Sequence, residues 1–513
     1  MRHSIIVAAT LVAIWSTLSC GAQAPEPTIS STVDVHFRPV QPELFQDSGA
    51  LTDAWADIDG DGDPDRFVGF NGAPSRLYRN DRGNGSVDIA VEVGLSVTRS
   101  VRTAAWGDFD NDGDPDLLLG FAGDAPITAL YRNDGNAGFT NVAGLVGLEL
   151  MEGTTRQASW VDYDADGDLD LFLALRDRAN VLFRNDATGT FTDITQESGI
   201  GDVRRTVGAV WFDTDQDGDL DLVTANMDGD ANGLWQNDGG KFTDTAAGQP
   251  VEAGGRMLGD ASQGSVRVCA ADVNSDGWFD LSFANYGPNA LLYASGPSAW
   301  ADASGAPNLA VNARYDTCAW GDFDNDGGLD LYVNGTVTGG IQYRDWLYHQ
   351  EGNTTFVDVT PSALLQLNAS HGATWVDFDL DGDLDLALTG AAEDGMHYLM
   401  ENLLPRTSGH QSLQVRVLDA EGHATRPGTE VRVYTAGTDQ LLGMRLVDTG
   451  SSYDAQSDLP LHFGLRNGNP VDVAVTVVGG GRRHTGMVAN ISPVMFSGSI
   501  LSLRIDEFGR IVD

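Results

Sequence analysis

Lysine is almost missing from this chain: Lys241 stands alone among 513 residues, and every other basic side chain is arginine. That removes a P-loop, since Lys241 is followed by Phe242 rather than Ser or Thr, and leaves one residue for Schiff-base chemistry. Cysteine is scarce too, with Cys20, Cys269 and Cys318 and no C-x-x-C pair for zinc or dithiol work. Nine histidines include no H-E-x-x-H pair, and no G-x-S-x-G elbow occurs. His462, next to Phe463, reads as a structural histidine. Positive charge is rare as a whole, 30 basic residues against 74 acidic ones and a formal charge of −44. Such a surface repels nucleic acid and anionic lipid. Past the N-terminus no apolar run is long enough to cross a bilayer.

What is abundant is aspartate, and it is ordered. The stretch Asp108-Phe109-Asp110-Asn111-Asp112-Gly113-Asp114-Pro115-Asp116 puts carboxylates at positions 1, 3, 5 and 9 of a nine-residue loop, with glycine at 6. Alternating oxygen ligands suit a hard cation wanting six to eight oxygens, which points to Ca²⁺. Glycine permits the sharp turn, and position 7 would offer its backbone carbonyl. Loops of this form start at Asp57, Asp108, Asp162, Asp213, Asp272, Asp322 and Asp377, at intervals of 51, 54, 51, 59, 50 and 55 residues.

At positions 1, 3, 5, 7 and 9 the first loop carries Asp57, Asp59, Asp61, Asp63 and Asp65, and the second Asp108, Asp110, Asp112, Asp114 and Asp116. The third has Asp162, Asp164, Asp166, Asp168 and Asp170; the fourth has Asp213, Asp215, Asp217, Asp219 and Asp221. The fifth departs, with Asp272, Asn274, Asp276, Trp278 and Asp280. The sixth reads Asp322, Asp324, Asp326, Gly328 and Asp330, and the seventh Asp377, Asp379, Asp381, Asp383 and Asp385. An EF-hand would need a glutamate at position 12 between helices. Position 12 is Val68 in the first loop and Leu119 in the second, so that reading fails. Seven Ca²⁺ would bring the formal charge of −44 to about −30.

Around each loop the sequence spells four short strands. A first segment ends in Trp55, Trp106, Trp160, Trp211, Trp320 or Trp375, with Ala270 the exception. At a fixed offset these read as packing between repeats rather than a ligand platform. An apolar segment such as Leu117-Leu118-Leu119 follows, then Leu130-Tyr131-Arg132-Asn133-Asp134, then Phe139-Thr140-Asn141-Val142. Four strands per unit of this length signify a β-propeller blade. The expected fold is therefore all-β: a seven-bladed propeller over residues 33–404. The last unit lacks a fourth strand, and Val33-Asp34-Val35-His36-Phe37-Arg38 stands unattached before the first loop. The N-terminal strand is expected to complete the last blade and close the ring. Residues 143–158, 245–266 and 334–346 read as variable loops.

The seven D-x-D-x-D-G-x-x-D loops, with Asn274 the one substitution, and Gly69-Phe70-Asn71-Gly72-Ala73-Pro74 resemble the FG-GAP/VCBS repeat family, the propeller type of integrin α-subunits. The resemblance spans about residues 33–404 and implies Ca²⁺ in each loop, between the first two strands of a blade. After a linker at 406–411, period-two segments such as Leu413–Val417 and Val471–Val477 indicate a small all-β domain over 412–513. Gly428-Thr429-Glu430-Val431, Gly450-Ser451-Ser452-Tyr453-Asp454-Ala455-Gln456 and His462-Phe463-Gly464-Leu465 resemble the ASPIC/UnbV domain, though Val478-Gly479-Gly480-Gly481 replaces that family's usual Trp-Pro pair. The pairing of domains resembles the cartilage acidic protein family and its bacterial members.

Residues 1–24 read as an export signal: Arg2 and His3, an apolar run from Ile5 to Trp15, then small residues. Two readings stay open, secretion after cleavage near Ala22 or Ala24, and lipidation at Cys20. Thr17-Leu18-Ser19-Cys20 resembles a bacterial lipobox with its leucine one place too close. The chain is thus expected at a bacterial cell surface, as an outer-membrane lipoprotein or secreted, with contact to membrane only through Cys20. Cys269 and Cys318 occupy equivalent strands of consecutive repeats; a disulfide stays open in an exported protein, but buried free thiols are the expected state, because such strands can lie too far apart for one. No catalytic residue is assigned. The expected role is a non-enzymatic, calcium-stabilised module that binds an extracellular protein or glycan and no nucleic acid. The alternatives are an exported polysaccharide lyase or hydrolase using acid pairs, and an accessory factor for another exported protein.

Overall fold

The ninth residue of every loop is also the first residue of a strand. Asp65–Pro74, Asp116–Phe121, Asp170–Leu175, Asp221–Asn226, Asp280–Pro288, Asp330–Gly335 and Asp385–Thr389 all begin on that aspartate. In the computed structural model, residues 35–512 are described, apart from 83, 136–137, 187–188, 304–308, 310, 339, 353, 366, 368–370, 392–394, 406–410, 424, 451–452, 497 and 507. The stretch read as an export signal with Cys20, and Val33, Asp34, Ser451, Ser452 and most of the linker, lie outside the described residues.

Each of these strands pairs antiparallel with the strand that precedes its loop, and then with the third strand of its own unit. The result is seven four-stranded meanders. Their inner strands are Ala50–Ala56, Thr98–Gly107, Thr155–Val161, Thr206–Phe212, Gly264–Ala271, Asn312–Gly321 and Gly372–Val376. Each inner strand packs on the next, and the first meets the seventh, so the ring closes. Helix is confined to single turns such as Ala143–Val146 and Pro250–Ala253. The protein is nearly all-β, a β-propeller, and no described helix is long and apolar enough to cross a membrane.

The tryptophans pack between blades as expected. Trp160 Nε1 donates to Ala105 O (3.2 Å) and Trp375 Nε1 to Ala319 O (3.1 Å), each a carbonyl of the preceding inner strand. Gly107 leaves room for the first of these rings: a Cβ there would sit 2.7 Å from Trp160. Trp320 alone of the six is only half-buried.

Three expectations need correction. The closing strand is Phe37–Pro39 rather than 33–38, pairing Phe37 with Asn402, Arg38 with Glu401 and Pro39 with Met400. Its partner is Tyr398–Asn402, and just past the ladder Leu403 N still donates to His36 O (2.8 Å). Cys269 and Cys318 form a disulfide, not free thiols. Inner strands converge on the ring axis, which brings the two Cα atoms to 6.3 Å, inside the bonding range. The segments read as variable loops are partly regular: 143–158 and 245–266 each hold a helical turn and run into inner strands at Thr155 and Gly264, and 334–346 contains the hairpin of Val337–Thr338 with Ile341–Gln342.

Residues from Gln411 onward form two four-stranded sheets. One orders Leu461–Leu465, Gln411–Leu418, Ile500–Ile505 and Ile511–Val512; the other orders Leu441–Leu446, Glu430–Thr435, Val471–Val478 and Arg483–Ile491. Val415, Val417, Val433, Val473 and Phe463 face one another in a shared core. The inner strands and this core bury their apolar faces in separate clusters.

Removing residues 35–40 strips the seventh blade of its fourth strand. The truncated chain is expected to melt well below the full chain in a circular-dichroism scan, by roughly 5 °C or more. Replacing Cys269 and Cys318 together by serine should lower stability by about 2–4 kcal/mol in denaturant titration, since the bond closes a long loop.

Candidate metal centres and the surface that covers them

Loop geometry repeats around the ring. In the second loop Asp108 accepts the amides of Asp112 (3.0 Å) and Gly113 (2.9 Å), one on each oxygen, and Asp112 accepts that of Asp114 (3.0 Å). Asp116 accepts Phe109 N (3.1 Å) and, from the third strand, Asn133 N (2.8 Å). The same two bonds hold the ninth carboxylate in the first loop, with Ile58 N and Asn80 N on Asp65, and in the third, with Tyr163 N and Asn185 N on Asp170. Glycine at position 6 has φ between +87° and +100° in all seven loops, where a side chain is strained.

Position 4 also lies in the left-handed region, at Gly60, Asn111, Ala165, Gln216, Ser275, Asn325 and Leu380. Nothing in the sequence reading flagged it; asparagine and glycine there were the available sign, and alanine and leucine hid it.

Carboxylate oxygens of Asp108, Asp110 and Asp116 lie within 4.8 Å of one another, as do those of Asp162, Asp164 and Asp170, of Asp213, Asp215 and Asp221, and of Asp57, Asp59 and Asp61. In the sixth loop Asp324 and Asp326 are joined by His349, whose Nδ1 stands 3.1 Å from Asp330. His349 occupies the place that Arg132 holds in the second blade, and sequence spacing did not single it out. Asp57 Oδ1, Asp110 Oδ1 and Asp164 Oδ1 are buried without a hydrogen-bond partner. A buried carboxylate oxygen left unpaired is costly, and a hard cation at the focus of these loops would satisfy it. The donor set therefore fits Ca²⁺, held by the side chains at 1, 3, 5 and 9. The aspartates at position 7 turn their side chains elsewhere: Asn111 donates to Asp168 and Asn325 to Asp383 (2.8 Å each), tying one loop to the next.

A second tie between loops went unread in the sequence. Asn133 Nδ2 donates to Ile58 O (3.1 Å), Asn185 to Phe109 O (2.8 Å), Asn237 to Tyr163 O (3.1 Å), Asn402 to Phe323 O (2.7 Å) and Asn80 to Phe378 O (2.7 Å). Each acceptor is position 2 of the preceding blade's loop. Gln350 does the same to Val273 O (2.8 Å). These residues are the asparagines of the Leu-Tyr-Arg-Asn-Asp segment, which alone suggested only a turn.

The C-terminal sandwich sits across the loops. Arg416 lies 3.9 Å from Asp57, Arg426 3.9 Å from Asp162, and Arg483 and Gln414 contact Asp213 and Asp377. His423 packs on Gly113, and Arg432 donates to Gly277 O (3.4 Å). His462, whose ring burial pushes its pKa down to about 3, lies with Nε2 2.7 Å from Asn325 Oδ1. All seven loops are thus touched. From this face the segment 448–458 enters the ring. Thr449 bonds Trp211 N and O (3.0 Å each), Gln456 bonds Trp160 N (2.6 Å) and O (3.2 Å), and Ala455–Gln456 pairs parallel with Ala104 and Ala105. Within the Gly450–Gln456 motif, Tyr453–Gln456 plug the propeller axis.

Against known families, the FG-GAP-like repeat model matches residues 57–119, 162–224, 213–283, 272–333 and 336–388. The chain belongs to the FG-GAP-like repeat family. It is similar to cartilage acidic protein 1 of Mus musculus, 26% identical over 90% of this chain and 75% of that protein, and to that of Homo sapiens, 26% identical over 89% and 73%. These alignments run past the repeats into the C-terminal sandwich. Among solved structures, it is similar to BBS1N in complex with ARL6DN (TM-score 0.45, 11% identity, 72% of this chain and 98% of that one). It is also similar to a lectin of Agrocybe aegerita that recognises non-reducing terminal N-acetylglucosamine (TM-score 0.41, 16% identity, 61% and 80%).

Burial, before any other cause, pushes the ninth carboxylates upward: Asp65 to about 8, Asp116 and Asp170 to about 9, and Asp280 to about 8, against 3.8 unfolded. A raised folded value means that protonation favours the fold, so this stabilisation is complete below about pH 4 and is lost as pH climbs through about 8–9. Calcium-free protein is therefore expected to melt at least about 5 °C lower at pH 8.5 than at pH 6, and saturating Ca²⁺ should flatten that dependence in calorimetry.

Proposed function

We propose that the protein is an exported, calcium-binding propeller that acts as a non-enzymatic binding or adhesion module at the cell surface or outside the cell. The observation that carries this reading is the repeated acid loop with buried, unpartnered carboxylate oxygens in a ring-closed scaffold. Calcium there supplies charge neutralisation, which lets the carboxylates of one loop share a point without mutual repulsion. The loop backbone and the third-strand asparagines position the oxygens for it. Affinity is expected at roughly 10⁻⁴–10⁻³ M, as in other extracellular calcium modules. The Cys269–Cys318 bond supports an oxidising compartment.

The sandwich covers the loop face, so a partner is left the rim and the far face, where outer strands cross to the next inner strand. Those crossings expose Val91, Leu145, Met151, Val203 and Met257, each more than half accessible. A series of exposed apolar side chains around one face supports contact with a macromolecule. Lipidation at Cys20 would hold the module at a membrane, and cleavage near Ala22 or Ala24 would free it.

Chelation with EDTA is expected to lower the melting temperature by roughly 10 °C or more, because binding is coupled to folding; an unchanged transition would remove the calcium reading. The functional test is retention of cell-envelope and polysaccharide fractions by the mature chain, with Ca²⁺ and then with EDTA. Calcium-dependent retention of a defined component supports the module. A shortened polysaccharide with nothing retained would move an exported lyase or hydrolase ahead, and a stable co-purifying exported protein would favour an accessory factor.

A further inference from the structure

One place beside the loops changes character around the ring. It is the third-strand residue just before the one whose amide the ninth carboxylate accepts: Arg79, Arg132, Arg184, Gln236, Tyr293, His349 and Glu401 in chain order. Arg79 and Arg132 turn outward, their side chains 39% and 41% exposed, to Asp81 (2.9 Å) and Asp134 (2.8 Å) of their own turns. His349 turns inward instead. Its side chain is 8% exposed, and its ring lies edge-on to Phe323, the second residue of the sixth loop, with centroids 6.3 Å apart. Position 3 of that loop is drawn in with it: Asp324 is buried, whereas Asp59, Asp110, Asp164, Asp215, Asn274 and Asp379 are half-buried or exposed.

The sixth loop therefore offers an imidazole nitrogen where the second carries a guanidinium, which has no lone pair for a metal. His349 Nδ1 stands 3.1 Å from Asp330 Oδ1 and 3.5 Å from Asp324 Oδ2, and its donor atom lies within 4.8 Å of those of Asp324 and Asp326. A histidine kept for packing alone would need one of these carboxylates; this one faces two and lies beside a third. Donor atoms on one small divalent ion, each held at about 2.1 Å, stand about 3.0–3.5 Å from one another, so imidazole and carboxylates are spaced to share it. Calcium takes oxygen donors in loops of this kind, whereas imidazole suits first-row transition metals.

The site also has an entry. Gly328 stands at position 7, where the other loops carry an aspartate or Trp278. With Asp326 and Gln350 it lines a cleft of about 540 Å³ whose other wall includes Leu441, Arg466 and Asn469 of the sandwich. Arg466 reaches Asp326 Oδ2 from the solvent side (3.3 Å), and an ion pair 70% exposed at the arginine gives way to a cation at little cost.

We propose that the sixth loop binds a divalent first-row transition cation, of the Mn²⁺ or Zn²⁺ type, in place of calcium, through His349 with Asp324, Asp326 and Asp330. The inference rests on the reading of the loops as cation sites and departs from it at one of the seven. Selectivity follows from the donor, because the nitrogen strengthens the hold on a transition ion and adds little for calcium.

The test is Mn²⁺ binding to the full chain in excess Ca²⁺, read by pulsed electron paramagnetic resonance. Calcium should keep the other loops, leaving one Mn²⁺ whose signal is modulated by a directly bound nitrogen, and Zn²⁺ should displace it. His349→Gln copies the fourth blade, where Gln236 Nε2 donates to Asp215 (2.9 Å), so the fold is expected to accept it. That variant should lose the nitrogen modulation and bind Mn²⁺ about tenfold or more weaker. His484→Gln, beside Phe508 in the sandwich, should change neither. Absence of nitrogen modulation from the unaltered chain overturns the proposal without recourse to any variant, as does modulation that survives His349→Gln. If Ca²⁺ raises the melting temperature and displaces all Mn²⁺, the sixth loop is another calcium site and only this inference falls. If no divalent cation shifts the melting transition, the cation reading of the loops falls with it.

Discussion

The structure depends on the carboxylate at the ninth position of each loop. It sits where the loop becomes the second strand, and it accepts one amide from its own loop and one from the third strand of its blade. In the second blade those amides are Phe109 N and Asn133 N. A single side chain thus fixes the loop, the start of one strand and the end of another. In six blades the residue whose amide it holds, an asparagine or Gln350, then reaches the previous blade's loop; Ala294 in the fifth has no side chain to do so. Burying so many carboxylates is unfavourable in itself, as the upward pressure on Asp116 and Asp170 shows. The arrangement is consistent only if something positive answers that charge.

Two kinds of positive charge are available to it. One is a hard cation, which the oxygen donor set of the loops fits. The other is the arginine-rich underside of the C-terminal sandwich, where Arg416, Arg426 and Arg483 approach first-position aspartates. The near-absence of lysine acquires a structural sense here, because guanidinium keeps its charge when buried and holds carboxylates through a planar fork. Covering the loops has a consequence for recognition. The loop face is already covered by the chain itself, and Tyr453–Gln456 enter the axis from that side. Any external partner must approach from elsewhere.

How much of this could be read from the chain follows from distance along it. A nine-residue loop contains its own carboxylates, its turn glycine and its boundary strand, so spacing alone exposed it. Blade architecture was equally legible, because each meander uses hydrogen bonds between consecutive strands. The closing strand was found, but its described ladder, Phe37–Pro39, is set by Tyr398–Asn402, some 360 residues away, rather than by its own alternation. Asn80, Asn133 and Asn185 passed as turn residues because their acceptors lie in another blade. The thiols of Cys269 and Cys318 were expected to stay apart because sequence carries no measure of how sharply inner strands converge.

By itself, then, the sequence determined the composition of the loops, their period, the all-β character and the family, since those rest on contacts within a few tens of residues. Only the tertiary structure decided that the two cysteines bond, that the sandwich lies over the seven loops, and that Tyr453–Gln456 enter the axis. It also decided which side chains of the inner strands meet around Tyr453 and Asp454 at the axis. Arg102, Arg156, Val207, Val266, Asp316 and His371 share an offset from their loops but no residue type, so no pattern marks them. Ring closure brings them together, and a closed ring is a property of all seven blades at once.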